Sequence, residues 1–465
     1  MAKQWWFSFV FTVMLSTLGV AQTLLNSFEI SLQRPHNKQG IKVAVNQSND
    51  EIVTIIADKY KVTAALFNRA VFLKDTLSTF PPPRNLESIV GLGFAQNQHP
   101  VLYHASEDFK TIQSVLFDFN RRATVRKTYK MPLDNENVVY HFSDRNSFSV
   151  LTVVKGKDHL KWYLFQDNEL DIVLINLENV ASKLKERPSQ SLSQFLEYHP
   201  LEKIDTRIFN PIFFACNKSK FYIHEEGLTF TFDQRKDSTQ MVVVNRVKGT
   251  LELFHHASPK MDYQNYDSNS FLMNGFLFQL AANKKEMALT VKDLSKNEIV
   301  KTYRVLEKET IDFANSELMQ LVNNQSPRTF RRTKPFLSAL YGSDLGVSVH
   351  VVRDQYHVQV GGRKWVLSSG DYFFGVLSAV AGIDDLGTSW SNAKLMYFDT
   401  LLDEEFHFVK SHERRFAQDY ASFFIEDERI TLMAPTIFYQ GGLLMAYYDR
   451  KDQRLVLRKF EDDLY

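Results

Sequence analysis

One short pattern recurs seven times along this chain and constrains its fold more than any other feature. An apolar run ends in an aromatic residue or Val, and a polar turn holding Asp or Asn follows. The pattern reads Ala65-Leu66-Phe67-Asn68, Val115-Leu116-Phe117-Asp118, Tyr163-Leu164-Phe165-Gln166-Asp167 and Phe230-Thr231-Phe232-Asp233. It continues as Leu289-Thr290-Val291-Lys292-Asp293, Met396-Tyr397-Phe398-Asp399 and Ala446-Tyr447-Tyr448-Asp449. Successive anchors lie 50, 49, 66, 60, 106 and 50 residues apart. A period of about 40–50 residues with four strands in each period is the mark of a β-propeller. A four-stranded sheet cannot bury both faces alone, and stacking blades around an axis buries them against each other.

The expected fold is therefore all-β, a single propeller of seven blades over residues 22–465, with six or eight as the alternatives. Two units show their strands plainly. In the third they are Asn137 to Phe142, Phe148 to Val154, Leu160 to Phe165 and Leu170 to Leu177. In the fifth they are Ser270 to Met273, Gly275 to Ala281, Glu286 to Val291 and Glu298 to Val305, with Asn274-Gly275 as a hairpin signal. The seven Asp/Asn anchors are expected between the third and fourth strands of each blade. Insertions interrupt the period at 179–203, 308–323 and 345–382. The first has helical signs, with Leu192, Phe195 and Leu196 on one face. The second places Ile311, Ala314, Leu318 and Leu321 at helical spacing and predicts a helix. The third contains a hairpin, Val347 to Val352 and Tyr356 to Val360, and is either the first half of the sixth unit or an extra blade.

The two chain ends are expected to close the ring. Phe28, Ile30 and Leu32 alternate as in a half-buried strand, and Ser27 to Leu32 would otherwise have no sheet to join. Its expected partner lies in the last unit, among Ser422 to Ile425, Ile430 to Met433, Leu443 to Tyr448 and Leu455 to Phe460.

Residues 1–21 have the form of a secretory signal peptide. Lys3 supplies the positive start, Trp5 to Leu15 the apolar stretch, and Gly19-Val20-Ala21 the small residues of a cleavage site before Gln22. No later run is long and apolar enough to span a bilayer as a helix. Cys216 is the only cysteine, so no intramolecular disulfide can form. Signal and cysteine content together point to a periplasmic or extracellular protein of bacterial origin. Cys216 follows Ile212-Phe213-Phe214-Ala215 and reads as a buried, inert thiol.

Charge excludes one class of partner. Lys+Arg number 55 and Asp+Glu 54, which leaves nothing to draw the chain onto nucleic acid. The basic run Arg328, Arg331, Arg332 and Lys334 reads as a solvated loop. No nucleophile elbow, phosphate loop, zinc-protease helix motif or EF-hand loop occurs, so no cofactor and no metal are expected. The candidate binding residues are Glu107, Asp108, Asp158, Glu225 and Glu226, in loops expected between the second and third strands of their units, where propellers present ligands. His255 and His256 form the one adjacent His pair. Neighbours on a strand point opposite ways, so these two could share a metal only in a loop.

The signal ending Gly-Val-Ala-Gln, the Phe/Lys/Asn-rich blades and the Asp-turn repeat resemble uncharacterised secreted β-propeller proteins of Bacteroidota. Asp75-Thr76-Leu77, Asp237-Ser238-Thr239 and Asp399-Thr400-Leu401 resemble the O-glycosylation triplet of such envelope proteins. The resemblance implies a secreted propeller and carries over no functional residue. The expected function is binding or scaffolding in the envelope or outside the cell, with a protein or glycan as partner. A hydrolase or lyase acting on glycan or peptide is the alternative.

Overall fold

The computed structural model describes residues 22–32, 40–86, 88–167, 169–178, 181, 184, 190–322, 326–365, 393–412, 415–428, 430 and 434–463. After β1 (Gln22–Glu29), blade I comprises β2 (Gly40–Val45), β3 (Ile52–Ala57), β4 (Val62–Phe67) and β5 (Leu73–Thr79). Blade II comprises β6 (Ser88–Phe94), β7 (Pro100–Ala105), β8 (Thr111–Asp118) and β9 (Ala123–Lys130). Blade III comprises β10 (Glu136–Asp144), β11 (Ser147–Val154), β12 (His159–Gln166) and β13 (Glu169–Asn176). Helix α1 (Leu192–Tyr198), strand β14 (Leu201–Ile204) and helix α2 (Ile212–Ala215) lead into blade IV: β15 (Ser219–His224), β16 (Gly227–Phe232), β17 (Ser238–Asn245) and β18 (Thr250–Ala257). Blade V comprises β19 (Asp267–Met273), β20 (Phe276–Ala282), β21 (Glu286–Asp293) and β22 (Glu298–Leu306).

Blade VI is built out of order. Its chain runs β23 (Leu318–Val322), β24 (Arg328–Phe330), α3 (Thr333–Leu340), β25 (Asp344–Val352), β26 (Gln355–Trp365) and β27 (Ala393–Leu402), but the sheet order is β24-β23-β27-β26-β25. Helix α4 (Ala417–Asp427) precedes blade VII, made of β28 (Thr436–Tyr439), β29 (Gly442–Asp449), β30 (Arg454–Phe460) and, as its fourth strand, β1. The described residues thus form seven sheets, one per blade of a β-propeller.

The burial pattern follows from stacking. Strands β3, β4, β7 and β16 are buried at every position because both their faces meet a neighbouring blade. Outer strands such as β9 and β13 have largely exposed surfaces. Apolar layers fill the gaps: Val53, Ile55, Leu102 and Phe117 between blades I and II, and Leu151, Leu164, Phe221 and Phe230 between blades III and IV. Burial of apolar surface at about 25 cal/mol per Å² drives the ring together.

The closure is as expected. Ser27 pairs with Val456 and Phe28 with Leu455, within a ladder running from Gln22–Phe460 to Glu29–Arg454. One expected strand of the last unit differs. Residues Ser422 to Ile425 lie in helix α4, whose Ala421, Phe424 and Ile425 pack on Leu443, Tyr447 and Phe460. Thr436–Tyr439 supplies the inner strand instead. Residues 431–433 lie outside the described ones.

The helix expected over 308–323 does not form. Leu318–Val322 is extended because it pairs with the edge of β27, and Ile311 and Phe313 are buried in the core by turns. A helix stands further on, at Thr333–Leu340. In the first insertion the helical reading holds: α1 begins with a capping box between Ser191 and Gln194 and buries Leu192, Phe195 and Leu196. The hairpin of the third insertion is β25–β26, the inner half of blade VI and not an extra blade. The remainder of that insertion, 366–382, lies outside the described residues.

Four anchors, Asn68, Asp118, Asp167 and Asp293, stand at the turn between third and fourth strands. The other three do not. Asp233 and Asp449 occupy the turn after the second strand, and Asp399 lies inside β27. The physical reason is that the motif reports a local turn. The Asn68, Asp293 and Asp449 side chains each accept backbone N–H bonds from residues two to four positions on. Any hairpin can use that bond.

Candidate functional site

The inner strands of a propeller surround an axis, and here the axis is only partly open. The stretch from Asp205 to Asn217, carrying α2, crosses it and lies against blade VI. Ile212 N donates to Gln359 Oε1 at 3.0 Å, and Phe209 stacks on Phe416 at 4.4 Å between ring centres. A Cβ on Gly346 of β25 would come within 2.6 Å of Cys216 Sγ, so the inner strand there must be bare for α2 to seat. What is left is a cavity of about 730 Å³, walled by β2, β6, β10, β14 and β28, with Phe213 and Phe214 of α2, Asn217 just after it, and Arg363 and Trp365 of β26.

The cavity follows β10 from Val138 to the turn at Arg145 and Asn146. Both turn residues have positive φ, +46° and +66°, the geometry of a tight hairpin. Asn146 ties three blades together there. Its Nδ2 donates to Asn46 Oδ1 at 3.0 Å, its Oδ1 accepts from Gln47 N at 3.1 Å, and its carbonyl accepts from Phe94 N at 3.0 Å.

Charged side chains line the cavity in an ordered way. Arg207 grips Asp205 with Nε to Oδ1 at 2.8 Å and Nη2 to Oδ2 at 2.6 Å, and Nη2 also reaches Asp144 Oδ1 at 2.9 Å. Burial would raise the Asp205 carboxyl, but the Arg207 fork outweighs it and holds the group at about 2. Lys203 Nζ lies 5.8 Å from the Phe142 ring centre. Glu202 is the opposite case. Burial pushes its carboxyl up to about 8, against the Asn217 hydrogen bond and the charges of Arg363 and Lys220. At neutral pH Asp205 is therefore ionised and Glu202 holds its proton.

Of the residues picked out from sequence, Glu107 alone lines this cavity, exposed in the turn between β7 and β8. Asp108 is in the same turn, where Ser106 Oγ and Lys110 N donate to its Oδ1 at 2.7 and 3.0 Å and hold its carboxyl below the usual range. Asp158 lies in the β11–β12 turn, away from the cavity. Glu225 and Glu226 sit in the β15–β16 turn, after the first strand of blade IV. That corrects their expected place. Lys218 bonds Asp267 and Lys220 bonds Asn269, which aligns β15 with β19, the first strand of blade V. Strand β14 is an addition pairing in parallel with β15, and it displaces the strand count by one.

His255 and His256 are on strand β18, not in a loop, and cannot share a metal. His255 Nδ1 is 2.7 Å from Gln240 Nε2, while His256 is buried on the other face. Asp403, Glu405 and His407 come close together in an exposed turn, where Asp403 Oδ1 accepts from the backbone N–H groups of the other two at 3.1 and 2.7 Å. Those bonds account for the cluster as a turn. Ser238 and Thr400 are fully buried, so two of the three O-glycosylation-like triplets are closed to modification in the folded protein.

Sequence reading missed Glu202, Asn217 and Arg363. For Glu202 the one signal is a charged residue at a strand position flanked by Leu201 and Ile204, and Asn217 carries none.

No family model matches this sequence, and no curated protein matches it. Among solved structures, the Dos1 propeller is similar at 8% identity over 96% of this chain and 96% of that one, with a TM-score of 0.34. The β-propeller domain of the Trilobed protease from Pyrococcus furiosus is similar at 7% identity over 92% and 95%, with a TM-score of 0.32. The D477G ACO/RPE65 chimera is similar at 8% identity over 58% and 62%, with a TM-score of 0.30. At these identities and scores none of them informs the chemistry. The seven sheets and the joined chain ends describe the molecule as a β-propeller in their own right.

Proposed function

We propose that the protein is an exported binding protein that takes a small ligand, a fragment of glycan or peptide, in the axial cavity. The observation that carries this reading is the cavity itself, about 730 Å³ and lined by aromatic rings together with nine charged side chains. Ligand sites have that size. Binding is favoured over hydrolysis because hydrolysis of a glycosidic bond needs two carboxyl groups free to face the substrate. Asp144 and Asp205 are both engaged by Arg207, which leaves Glu202 deep in the wall and Glu107 exposed in its turn. Export is supported by the composition of residues 1–21, with Lys3, the apolar stretch from Trp5 to Leu15 and the small residues Gly19-Val20-Ala21.

Ligand-observed NMR against a panel of tripeptides and disaccharides tests the reading. Binding is expected, and Val139→Trp, which fills the cavity beside β10, should abolish it with the circular dichroism unchanged. A panel without a binder, or binding indifferent to Val139→Trp, overturns it. Mass spectrometry of envelope material should find Gln22 as the first residue, and an intact Met1 terminus in the cytoplasm would overturn export.

A further inference from the structure

One wall of the cavity is a chain of polar groups enclosed by rings. Glu202 Oε2 accepts from Asn217 Nδ2 at 2.7 Å, and Asn217 Oδ1 accepts from Arg363 Nη2 at 2.9 Å. Arg363 continues the chain, donating through Nη1 to the Phe213 carbonyl at 2.9 Å and through Nη2 to Asp344 Oδ2 at 3.3 Å. Its guanidinium carbon lies 4.7 Å from the Phe213 ring centre and 4.8 Å from that of Trp365. These contacts fix the guanidinium in orientation.

Two atoms of the chain have no hydrogen-bond partner among the described residues, Glu202 Oε1 and Arg363 Nε. Their side chains are deeply buried, at 5% and 6% residue exposure. Native interiors rarely leave polar atoms so, and because both atoms are closed to solvent in this geometry, a ligand reaches them only when the Glu202 and Arg363 side chains turn toward the cavity that they line. Both atoms belong to donors when Glu202 carries its proton. The groups facing Glu202 are Asn217, Arg363, Lys220 from β15 and Tyr140 from β10. None of these removes the need for an acceptor.

The charge of the cavity points the same way. Lys42, Arg145, Lys203, Arg207 and Arg363 line it against Glu107, Asp144, Asp205 and Glu202. With Glu202 neutral, five cations meet three anions, and the Asp344 carboxylate paired with Arg363 makes a fourth, which leaves a surplus of one positive charge. The rest of the wall includes Phe94, Phe109, Tyr140, Phe142, Phe214 and Phe438.

We propose that the cavity binds a small monocarboxylate with an apolar body, its carboxylate seated at Glu202 and Arg363 and its body against the aromatic wall. The proposal rests on the cavity being the ligand site. The carboxylate accepts from the Glu202 hydroxyl and the Arg363 guanidinium, and no bond is made or broken. Binding therefore requires the protonated form of Glu202. Since that group titrates at about 8, the competent fraction falls about tenfold between pH 7 and pH 9, and affinity falls with it.

The test uses N-acetyl-L-phenylalanine and 4-phenylbutyrate, each beside its neutral carboxamide, titrated calorimetrically into the full chain. The acids are expected to bind at least tenfold more tightly than the amides at pH 7, and about tenfold more weakly at pH 9 than at pH 7. Glu202→Gln keeps a donor at that position and does not titrate, so it should bind the acids at both pH 7 and pH 9 within a few-fold of the parent's affinity at pH 7. Arg363→Met should lose at least tenfold at pH 7. Amides binding as well as acids would overturn the anion site. So would acids that fail to bind while another compound gives binding sensitive to Val139→Trp, and in both cases the cavity reading survives. Acid binding that is indifferent to pH in the parent chain removes Glu202 from the site and overturns the proposal without recourse to the Arg363 variant. Acid binding indifferent to Val139→Trp overturns the cavity reading itself.

Discussion

Phe28 on β1 lies 5.8 Å from Phe67 on β4, ring centre to ring centre, with the rings tilted by 55°. The contact ties the strand that closes blade VII to the face of blade I. Ile41, Ile52, Leu455 and Leu457 complete the same apolar layer.

Loss of this contact should weaken the ring. Phe28→Ala is expected to cost about 2 kcal/mol, because a half-buried Phe loses less than the ~3–5 kcal/mol of a fully buried one. Deleting 23–33 removes the whole ladder to β30 and should lower the melting temperature by several degrees more. Thermal scans by calorimetry check both, and a deletion with unchanged melting would mean that the seam adds nothing to the ring.

Gly361 on β26 is the tightest packing point in blade VI for a new side chain. A Cβ there would come 2.0 Å from the Met396 carbonyl and 2.7 Å from Tyr397 Cβ. Gly361→Ala should destabilise by about 1–3 kcal/mol through forced backbone shift. Urea titration followed by fluorescence measures it.

Residues that recur in the blades made the strands and the closure legible. Phe28, Ile30 and Leu32 alternate whatever they pack on, and the Asp-turn motif marks hairpins. The motif does not say which hairpin, so Asp233 and Asp449 fall one turn away from their expected place. Leu318 and Leu321 match a helix and a strand equally over so short a run, and the open edge of β27 decided between them. The cavity was illegible for a different reason. Glu202, Asn217 and Arg363 meet through space, and nothing at positions 202 or 363 signals that one hydrogen-bonded chain joins them.

Acid should find His256 a weak point. Burial, with the charge of Lys292, holds its ring down to about 4, and neither ring nitrogen has a hydrogen-bond partner among the described residues. The folded value is below the ordinary 6.5, so the unfolded chain takes up the proton first as pH falls. Stability present above pH 6.5 is lost progressively down to about pH 4, and this group takes no more below that. His256→Phe should flatten that part of the curve of melting temperature against pH, while leaving the curve above pH 7 unchanged in shape.

The thiol of Cys216 should be silent. It is buried, and desolvation pushes it up to about 12. Ellman's reagent is expected to find no thiol in the native protein and one per chain in guanidinium. Rapid native labelling would show that α2 opens readily.

Strand β1 is made first and can be used only last. Its opposite residue at the start of the ladder, Phe460, follows Gln22 by 438 positions, and at about 5–20 residues per second a ribosome needs roughly 20 to 90 s to cover that distance. Through that interval the first strand carries an unmatched edge of the kind that pairs with the wrong chain. Ring closure is thus a post-synthetic event, and an exchange of β1 between two nascent copies is its natural error. A ribosome-bound chain halted before Arg454 should still be cut by protease within residues 22–32, and a released chain should not.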